Sequence, residues 1–150
     1  MSRPSEHELL VEIARRTLRS VMLYQAMADR LGLGLKDVLC VTSLALDGAQ
    51  TPGELARLLS VTSGGAITAV VNRLETAGLV RRTRDPLDGR RILVEAVPEN
   101  LTALSAFLQQ VSGVLSGRVA DLPLAELELI TGWLGAENSA AAHNVRELSA

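Results

Sequence analysis

A helix–turn–helix pattern that leads directly into an arginine-rich hairpin constrains this 150-residue chain more than any other feature. The pattern occupies residues 51–97, which read TPGELARLLSVTSGGAITAVVNRLETAGLVRRTRDPLDGRRILVEAV. Apolar residues recur at helical spacing in its first half, and two short strand-like runs flank a turn in its second half. This order of elements predicts a winged helix-turn-helix.

A capping box marks the start of the first helix of this pattern. Thr51 can cap the helix, Pro52 fits the first helical position, and Glu54 can bond back to the cap. Ser60 and Val61 then form the turn to the next helix. The inward stripe of the first helix is predicted to consist of three leucines, Leu55, Leu58 and Leu59.

The second helix of the pattern is predicted over residues 62–77, and Gly78 ends it. Its apolar residues cluster on one side of a helical wheel: Ile67, Val70, Val71 and Leu74. Strands are predicted over 79–83 and 92–97, and the turn at 85–89 between them is rich in aspartate, proline and glycine. Together these elements complete the predicted wing.

Helices are also predicted on both sides of this pattern. Apolar residues at helical spacing predict helices over 5–31 and 35–47. Helical spacing resumes over 101–115, and a last helix is predicted over 123–135, followed by an alanine-rich tail. The predicted fold is therefore mainly α with a small β-hairpin, in which a winged helix-turn-helix lies between N- and C-terminal helices.

The charge of the chain is distributed unevenly. Its formal net charge is −2, so bulk charge does not indicate a polyanionic partner. Residues 57–91, however, contain seven arginines against three acidic residues, whereas residues 92–150 contain two arginines against seven acidic residues. A basic patch on an acidic protein is typical of a surface that meets phosphates. Aromatic residues make up only 2% of the chain, so the core is predicted to be aliphatic.

The face of the second helix opposite its apolar stripe is small and polar. It carries glycine, alanine, short polar side chains and one arginine: Gly65, Thr68, Ala69, Asn72, Arg73 and Thr76. Such a slim surface can enter the major groove of duplex DNA, where Asn72 can pair with adenine and Thr68 can contact a base. An ordinary solvent-facing helix is the alternative interpretation.

The start of this helix is a candidate phosphate contact. Thr62 or Ser63 can cap the helix, and the exposed N–H groups there can meet a phosphate. Gly64 and Gly65 lower helix stability by roughly 1 kcal/mol each relative to alanine. Close approach of the backbone to DNA is the predicted reason for them.

The hairpin supplies the cationic part of the predicted surface. Five arginines lie within eleven residues: Arg81, Arg82, Arg84, Arg90 and Arg91. Arginine suits both phosphates and a narrow minor groove, so Arg84, Arg90 and Arg91 are expected to contact DNA. Asp88 would repel phosphate, so we expect its carboxylate to orient Arg90 or Arg73. A solvated charged turn is the alternative.

These residues resemble the MarR family of bacterial transcriptional regulators. The resemblance rests on the run TSGGAITAVVNRLETAGLVRR followed by RDPLDGRRILV. The flanking helices also have the family's layout, so the resemblance spans nearly all 150 residues as a single domain. Residues 35–97 correspond to the winged helix-turn-helix part, and residues 5–31 and 99–147 to the dimerisation helices.

The resemblance implies a homodimer in which each winged domain binds half of a palindromic operator in double-stranded DNA. It implies a repressor that is released by a small, often aromatic or phenolic, effector bound between the dimerisation helices and the winged domain. It also implies that the second helix meets the major groove and the wing meets the minor groove. The candidate DNA-binding residues are Thr62, Ser63, Gly64, Gly65, Thr68, Asn72, Arg73, Arg84, Asp88, Arg90 and Arg91.

Other chemistries have little support in the sequence. Cys40 lies beside apolar residues and is interpreted as a buried thiol, with a cysteine-based redox sensor as the alternative. His7 and His143 are isolated, so no metal site is predicted, and no catalytic or cofactor-binding motif predicts an enzyme. A winged domain that binds only proteins is a further alternative. No signal-peptide pattern or membrane-length apolar run is present, so a cytoplasmic protein is expected.

Overall fold

The computed structural model describes residues 5–61, 63–106, 109 and 119–148. The elements within these ranges are α1 (Glu6–Leu31), α2 (Leu35–Asp47), α3 (Pro52–Leu58), α4 (Gly64–Thr76), β1 (Val80–Arg84), β2 (Ile92–Ala96), a 3₁₀ turn (Pro98–Asn100), the helical segment α5 (102–106) and α6 (Leu124–Leu148). The fold is therefore mainly helical with one antiparallel hairpin. The predicted fold class is confirmed.

Side-chain caps fix where two of the helices begin. Ser5 caps α1 and Thr51 caps α3, since each hydroxyl accepts a hydrogen bond from the backbone N–H three residues on. Glu8 and Glu54 bond back to the N–H groups of these caps. Both capping boxes satisfy N–H groups that have no partner inside the helix. The capping box predicted at Thr51 is confirmed.

Helix α2 lies at the centre of the domain and is buried on most of its circumference. The buried apolar residues that pack together come from α1 to α4, both strands and the start of α5: Met27, Ala28, Val38, Cys40, Val41, Leu44, Leu55, Leu59, Ile67, Val70, Val71, Leu74, Val80, Val94, Leu101 and Leu104. Each buried valine or leucine stabilises the fold by roughly 1.5–3 kcal/mol relative to exposure. The prediction of an aliphatic core is confirmed.

One residue of the predicted inward stripe of α3 faces solvent. Leu55 and Leu59 are buried, but Leu58 is 49% exposed. The prediction for Leu58 is wrong because Leu55 and Leu59 are four residues apart and define the buried stripe. At 100° per residue, Leu58 lies roughly 80° from its centre.

The wing is anchored to the helix-turn-helix through the middle of its second strand. Val80 pairs with Ala96 and Arg84 pairs with Ile92 in an antiparallel register. In the middle of β2, the N–H of Val94 donates to the carbonyl oxygen of Gln50 at 2.8 Å, and the return bond is 3.0 Å. Because Gln50 directly precedes the cap of α3, this bridge fixes the wing relative to α3.

Gly78 sets the direction in which the chain leaves α4. Its φ of +72° lies in the left-handed region, where a side chain would be strained. The N–H of Leu79 then donates to the carbonyl oxygen of Leu74 at 2.9 Å, and Asn100 Nδ2 donates to the carbonyl oxygen of Gly78 at 2.8 Å. This turn ends α4 at the predicted glycine and redirects the chain into β1.

Some helix bounds differ from the sequence predictions. Helix α4 begins at Gly64 instead of residue 62, because Ser63 is extended and acts as the cap. Helix α6 continues to Leu148, whereas the sequence predicts a helix over 123–135 and then a tail. Alanine has the highest helix propensity, so the alanine-rich segment extends the helix. Most of the helix predicted over 101–115 lies outside the described residues.

Cys40 has no exposed surface. Burial raises the pKa of its thiol to about 11, and the nearby carboxylate of Asp37 adds to the shift. Because the thiolate is the reactive form, this cysteine is not poised for oxidation, and its interpretation as a buried thiol is confirmed. In the described part of the chain, no group of three or more His, Cys, Asp or Glu residues is placed to hold a metal ion. None of the described helices combines the length and apolarity that a membrane crossing requires.

Candidate nucleic-acid interface

The N-terminus of α4 opens onto solvent. Ser63 caps it, with its Oγ accepting a hydrogen bond from the N–H of Ala66 at 3.2 Å. Thr62 lies outside the described residues. Gly64 and Gly65 are exposed, and a Cβ atom added to either one would meet no atom within 4 Å. Packing within the protein therefore does not require glycine here, and the open space beside the first turn leaves room for an anion.

The rest of α4 divides into a buried stripe and an exposed face, as the sequence predicts. The stripe consists of Ile67, Val70, Val71 and Leu74. Thr68, Ala69, Asn72 and Thr76 are exposed. The hydroxyl of Thr68 donates to the carbonyl oxygen of Gly64 at 2.8 Å, so its remaining capacity is that of an acceptor. The exposed face is slim enough for a major groove and presents short polar groups to it.

An arginine of the wing holds the amide of Asn72. Arg82 Nη2 donates to Asn72 Oδ1 at 2.7 Å, and Arg82 Nη1 donates to Glu75 Oε2. Val80 is buried, and side chains two residues apart share a face of a strand, so Arg82 lies on the face of β1 that meets α4. This contact was not predicted from the sequence, although the alternation of Val80 and Arg82 in β1 was the available signal.

Arg73 binds a carboxylate of α2. Its Nε and Nη2 atoms donate to the two carboxylate oxygens of Asp37 at 3.0 and 2.7 Å. The side chain of Asp37 is only 1% exposed, and its Oδ2 also accepts the N–H of Gly34 at 2.9 Å. The hydrogen bonds to Asp37 raise the pKa of Arg73. The expectation that Asp88 orients Arg73 is therefore wrong, because Asp37 takes that role.

The two carboxylates of the wing turn bind the backbone of the turn. Asp85 Oδ1 accepts the N–H of Leu87 at 2.8 Å, and Asp88 Oδ1 accepts the backbone N–H of Arg90 at 3.1 Å. A short aspartate side chain easily reaches the N–H two residues on. Asp88 thus holds the backbone of Arg90 and not its guanidinium, which corrects the other half of that expectation.

The six arginines of α4 and the wing fall into two sets. Four are ion-paired: Arg73 with Asp37, Arg81 with Glu95, Arg82 with Glu75, and Arg91 with Asp85. The last pair is loose at 3.8 Å. Arg84 and Arg90 are exposed and have no ion pair within the described ranges. Of α4 and the wing, it is therefore the wing that carries the uncompensated positive charge.

Arg91 also acts at a distance on α3. The pKa of Glu54 is lowered mainly by its hydrogen bonds with Thr51, and the charges of Arg91 and Arg57 lower it further. Arg91, one of the wing arginines predicted to contact DNA, therefore lies in the field of two carboxylates, those of Asp85 and Glu54. Its charge is more compensated than that of Arg90.

A slim capped helix with an exposed N-terminus, followed by a basic two-stranded wing, defines a winged-helix DNA-binding protein. A sequence model of the MarR family matches residues 31–91. The uncharacterised HTH-type transcriptional regulator YcgE of Bacillus subtilis is 36% identical over 139 residues, which cover 89% of this chain and 87% of YcgE. The chain belongs to the MarR family of transcriptional regulators and is not an enzyme.

Solved structures share the fold. Transcriptional regulator Tm0710 of Thermotoga maritima matches with a TM-score of 0.60 at 21% identity, covering 91% of this chain and 96% of that one. NadR in complex with 4-hydroxyphenylacetate matches with a TM-score of 0.59 at 19% identity, covering 91% of this chain and 94% of NadR. The resemblance stated from the sequence is confirmed.

We expect Arg73→Ala to lower the free energy of unfolding by about 1–3 kcal/mol, because it leaves the buried carboxylate of Asp37 without its cation. This expected loss of stability is smaller than that for a fully buried ion pair, because the side chain of Arg73 is half exposed. Urea denaturation measures the change. Arg81→Ala is the control, since it removes an exposed pair and should lower stability much less than Arg73→Ala does. Equal losses in the two variants would contradict a special role for Asp37.

Proposed function

We propose that this protein is a homodimeric repressor that binds a palindromic operator and is released by a small-molecule effector. The observation that carries the proposal is the placement of the exposed α4 face beside a wing whose Arg84 and Arg90 have no ion pair among the described residues. Helices of this kind enter the major groove, while arginines suit the narrow minor groove beside it. A protein-interaction module is less favoured, because the α4 face is neither acidic nor strongly apolar.

The proposed DNA contacts follow from this placement. Ser63 and the amides of Gly64 and Gly65 would meet a phosphate, and Thr68 and Asn72 would reach base edges. Arg84 and Arg90 would supply the cations of the wing, with Arg91 contributing less because Asp85 and Glu54 lie near it. Arg73 and Asp88 would act indirectly, by holding α4 and the wing turn in place.

Exposed apolar side chains on the terminal helices support a homodimer. They project from α1 (Leu9, Leu10, Leu18, Val21 and Met22) and from α6 (Leu124, Leu129, Ile130, Trp133 and Leu134). So much apolar surface is rare on a monomer and marks an interaction site. A second copy related by a two-fold axis would cover it and place two α4 helices about 34 Å apart, one helical turn of DNA.

A cavity of about 680 Å³ between α1 and α5 supports the proposal of an effector. Its lining is largely aliphatic, including Leu23, Met27 and Ala103, and Arg30 provides a cation. An apolar pocket with one cation suits a small aromatic acid. 4-Hydroxyphenylacetate, the compound bound in the NadR structure, is such an acid. Effector binding would shift a two-state equilibrium in the spacing of the recognition helices.

Gel shifts across a salt series, with DNA flanking the coding region of this protein as probe, test the DNA-binding surface. Arg84→Ala and Arg90→Ala should each weaken binding and reduce the log–log salt slope by about one unit per subunit, since each removes a phosphate contact. Arg81→Ala is the matched control, because Glu95 already compensates Arg81. An unchanged slope in the wing variants would rule out this role for the wing.

Light scattering coupled to size-exclusion chromatography tests the dimer. Met22→Asp should convert the protein to a monomer and abolish operator binding, because it places a charge in the proposed interface. Leu46→Asp is the control, since Leu46 is an exposed leucine on α2, outside α1 and α6. A wild-type protein that runs as a monomer at micromolar concentration would overturn the assignment.

Thermal unfolding in the presence of 4-hydroxyphenylacetate and related aromatic acids tests the effector site. At 100 times its Kd, a ligand stabilises the fold by about 2.7 kcal/mol, so the melting temperature should rise by several degrees. Arg30→Gln should remove the effect, and the uncharged 4-hydroxyphenylacetamide should stabilise less. Failure of every small aromatic acid to stabilise the wild type would count against this site.

A further inference from the structure

A three-residue hydrogen-bond chain, Glu75–Arg82–Asn72, joins the wing to α4, and we call it the amide clamp. Arg82 lies on β1 and bonds two residues of α4 at once, through Nη1 to Glu75 and through Nη2 to Asn72. Its side chain is 32% exposed, so the guanidinium is partly enclosed between the wing and α4. The clamp is the direct polar link between the wing and the face of α4 that would enter the groove.

The position of Arg82 differs electrostatically from that of Arg84. Both lie on the same face of β1, two residues apart. Arg82 is compensated by Glu75, whereas Arg84 has no ion pair in the described part of the chain. A compensated guanidinium with two of its amino groups already donating is a poor phosphate contact. The guanidinium of Arg82 therefore positions the side chains of α4 and does not supply a free positive charge for DNA.

An asparagine amide can present either end to a partner. The terminal torsion of asparagine is broad and roughly two-fold, and a half-turn exchanges the acceptor oxygen with the donor nitrogen. In the clamp, the oxygen of Asn72 accepts from Arg82 at 2.7 Å, so its NH₂ group is directed away from the wing. A side chain that is already ordered loses less entropy on binding and discriminates more sharply.

We propose that Arg82 is a positioning residue for base recognition: it fixes the amide of Asn72 so that the NH₂ group faces the major groove and selects a base that offers a hydrogen-bond acceptor. Such acceptors are N7 and O6 of guanine, N7 of adenine and O4 of thymine, whereas the edge of cytosine offers a donor. The inference rests on the proposed DNA-binding function. It adds that one base preference depends on a wing residue that need not touch DNA.

The test measures specificity at single base pairs with the full-length protein. A pool of duplexes with a random core first identifies the preferred site of the wild type. Dissociation constants are then measured for all four bases at each position of one half-site, for the wild type, Asn72→Ala, Arg82→Gln and the double variant. Arg84→Gln is the matched control on the same strand face. Thermal melting confirms that each variant is folded, and Glu75→Gln, which loosens the clamp from its other end, replaces Arg82→Gln if that variant does not fold.

Asn72→Ala and Arg82→Gln are each expected to flatten the preference at the same base pair by about 5- to 100-fold, with cytosine disfavoured there in the wild type. The double variant should lose no more than the stronger single variant, because both changes remove one shared interaction. Arg84→Gln should weaken binding to all sequences alike and reduce the salt slope.

Some outcomes would overturn the inference. They are a uniform loss across all bases in Arg82→Gln, losses at different positions for Asn72 and Arg82, or fully additive losses in the double variant. A wild type that binds no member of the pool would instead contradict the proposed function itself, so the two failures are distinguishable.

Discussion

The buried carboxylate of Asp37 holds the geometry on which the rest of the molecule depends. It accepts the N–H of Gly34 at the start of α2 and both donors of Arg73 on α4. A buried charge is stable only when its hydrogen bonds are satisfied, so Asp37 requires Arg73 to stay in one place. Apolar packing alone tolerates small shifts between helices, whereas a two-point contact between planar groups does not. The orientation of α4 relative to the core is therefore fixed by the directional hydrogen bonds between Arg73 and Asp37 as well as by apolar packing.

Two further polar contacts extend this rigidity to the wing. The Gln50–Val94 bridge anchors β2 beside α3, and Arg82 joins β1 to α4. The wing is thus held through both of its strands, while its tip is ordered by Asp85 and Asp88. Four of the seven arginines in the basic patch have carboxylate partners within the protein. The local charge of the sequence therefore overstates the charge that the surface offers to DNA.

Much of the fold follows from local signals in the sequence. The cap at Thr51, the stop at Gly78 and the apolar stripe of α4 each depend on neighbours within a few residues, and the structure confirms all three. The pairings Asp37–Arg73 and Asn72–Arg82 join residues 36 and 10 positions apart, so propensity and periodicity do not reveal them. Asp88 was misassigned for the same reason: the sequence shows which charges lie near each other along the chain, but not that a backbone N–H is the nearer donor. Helix α6 continues past its predicted end at residue 135 because the amphipathic pattern stops there, whereas the high helix propensity of alanine extends the helix without such a pattern.

The empty space above Gly64 and Gly65 bears on which substitutions this helix can accept in evolution. Alanine would fit at both positions and would strengthen the helix by roughly 1 kcal/mol at each, so folding stability alone favours the replacement. Under the proposed interface, the missing methyl groups instead leave a flat shelf on which the sugar–phosphate backbone can rest. Under that interface, stability and contact oppose each other at these two residues, and the start of α4 would be weaker than the fold allows in exchange for a surface that fits another molecule.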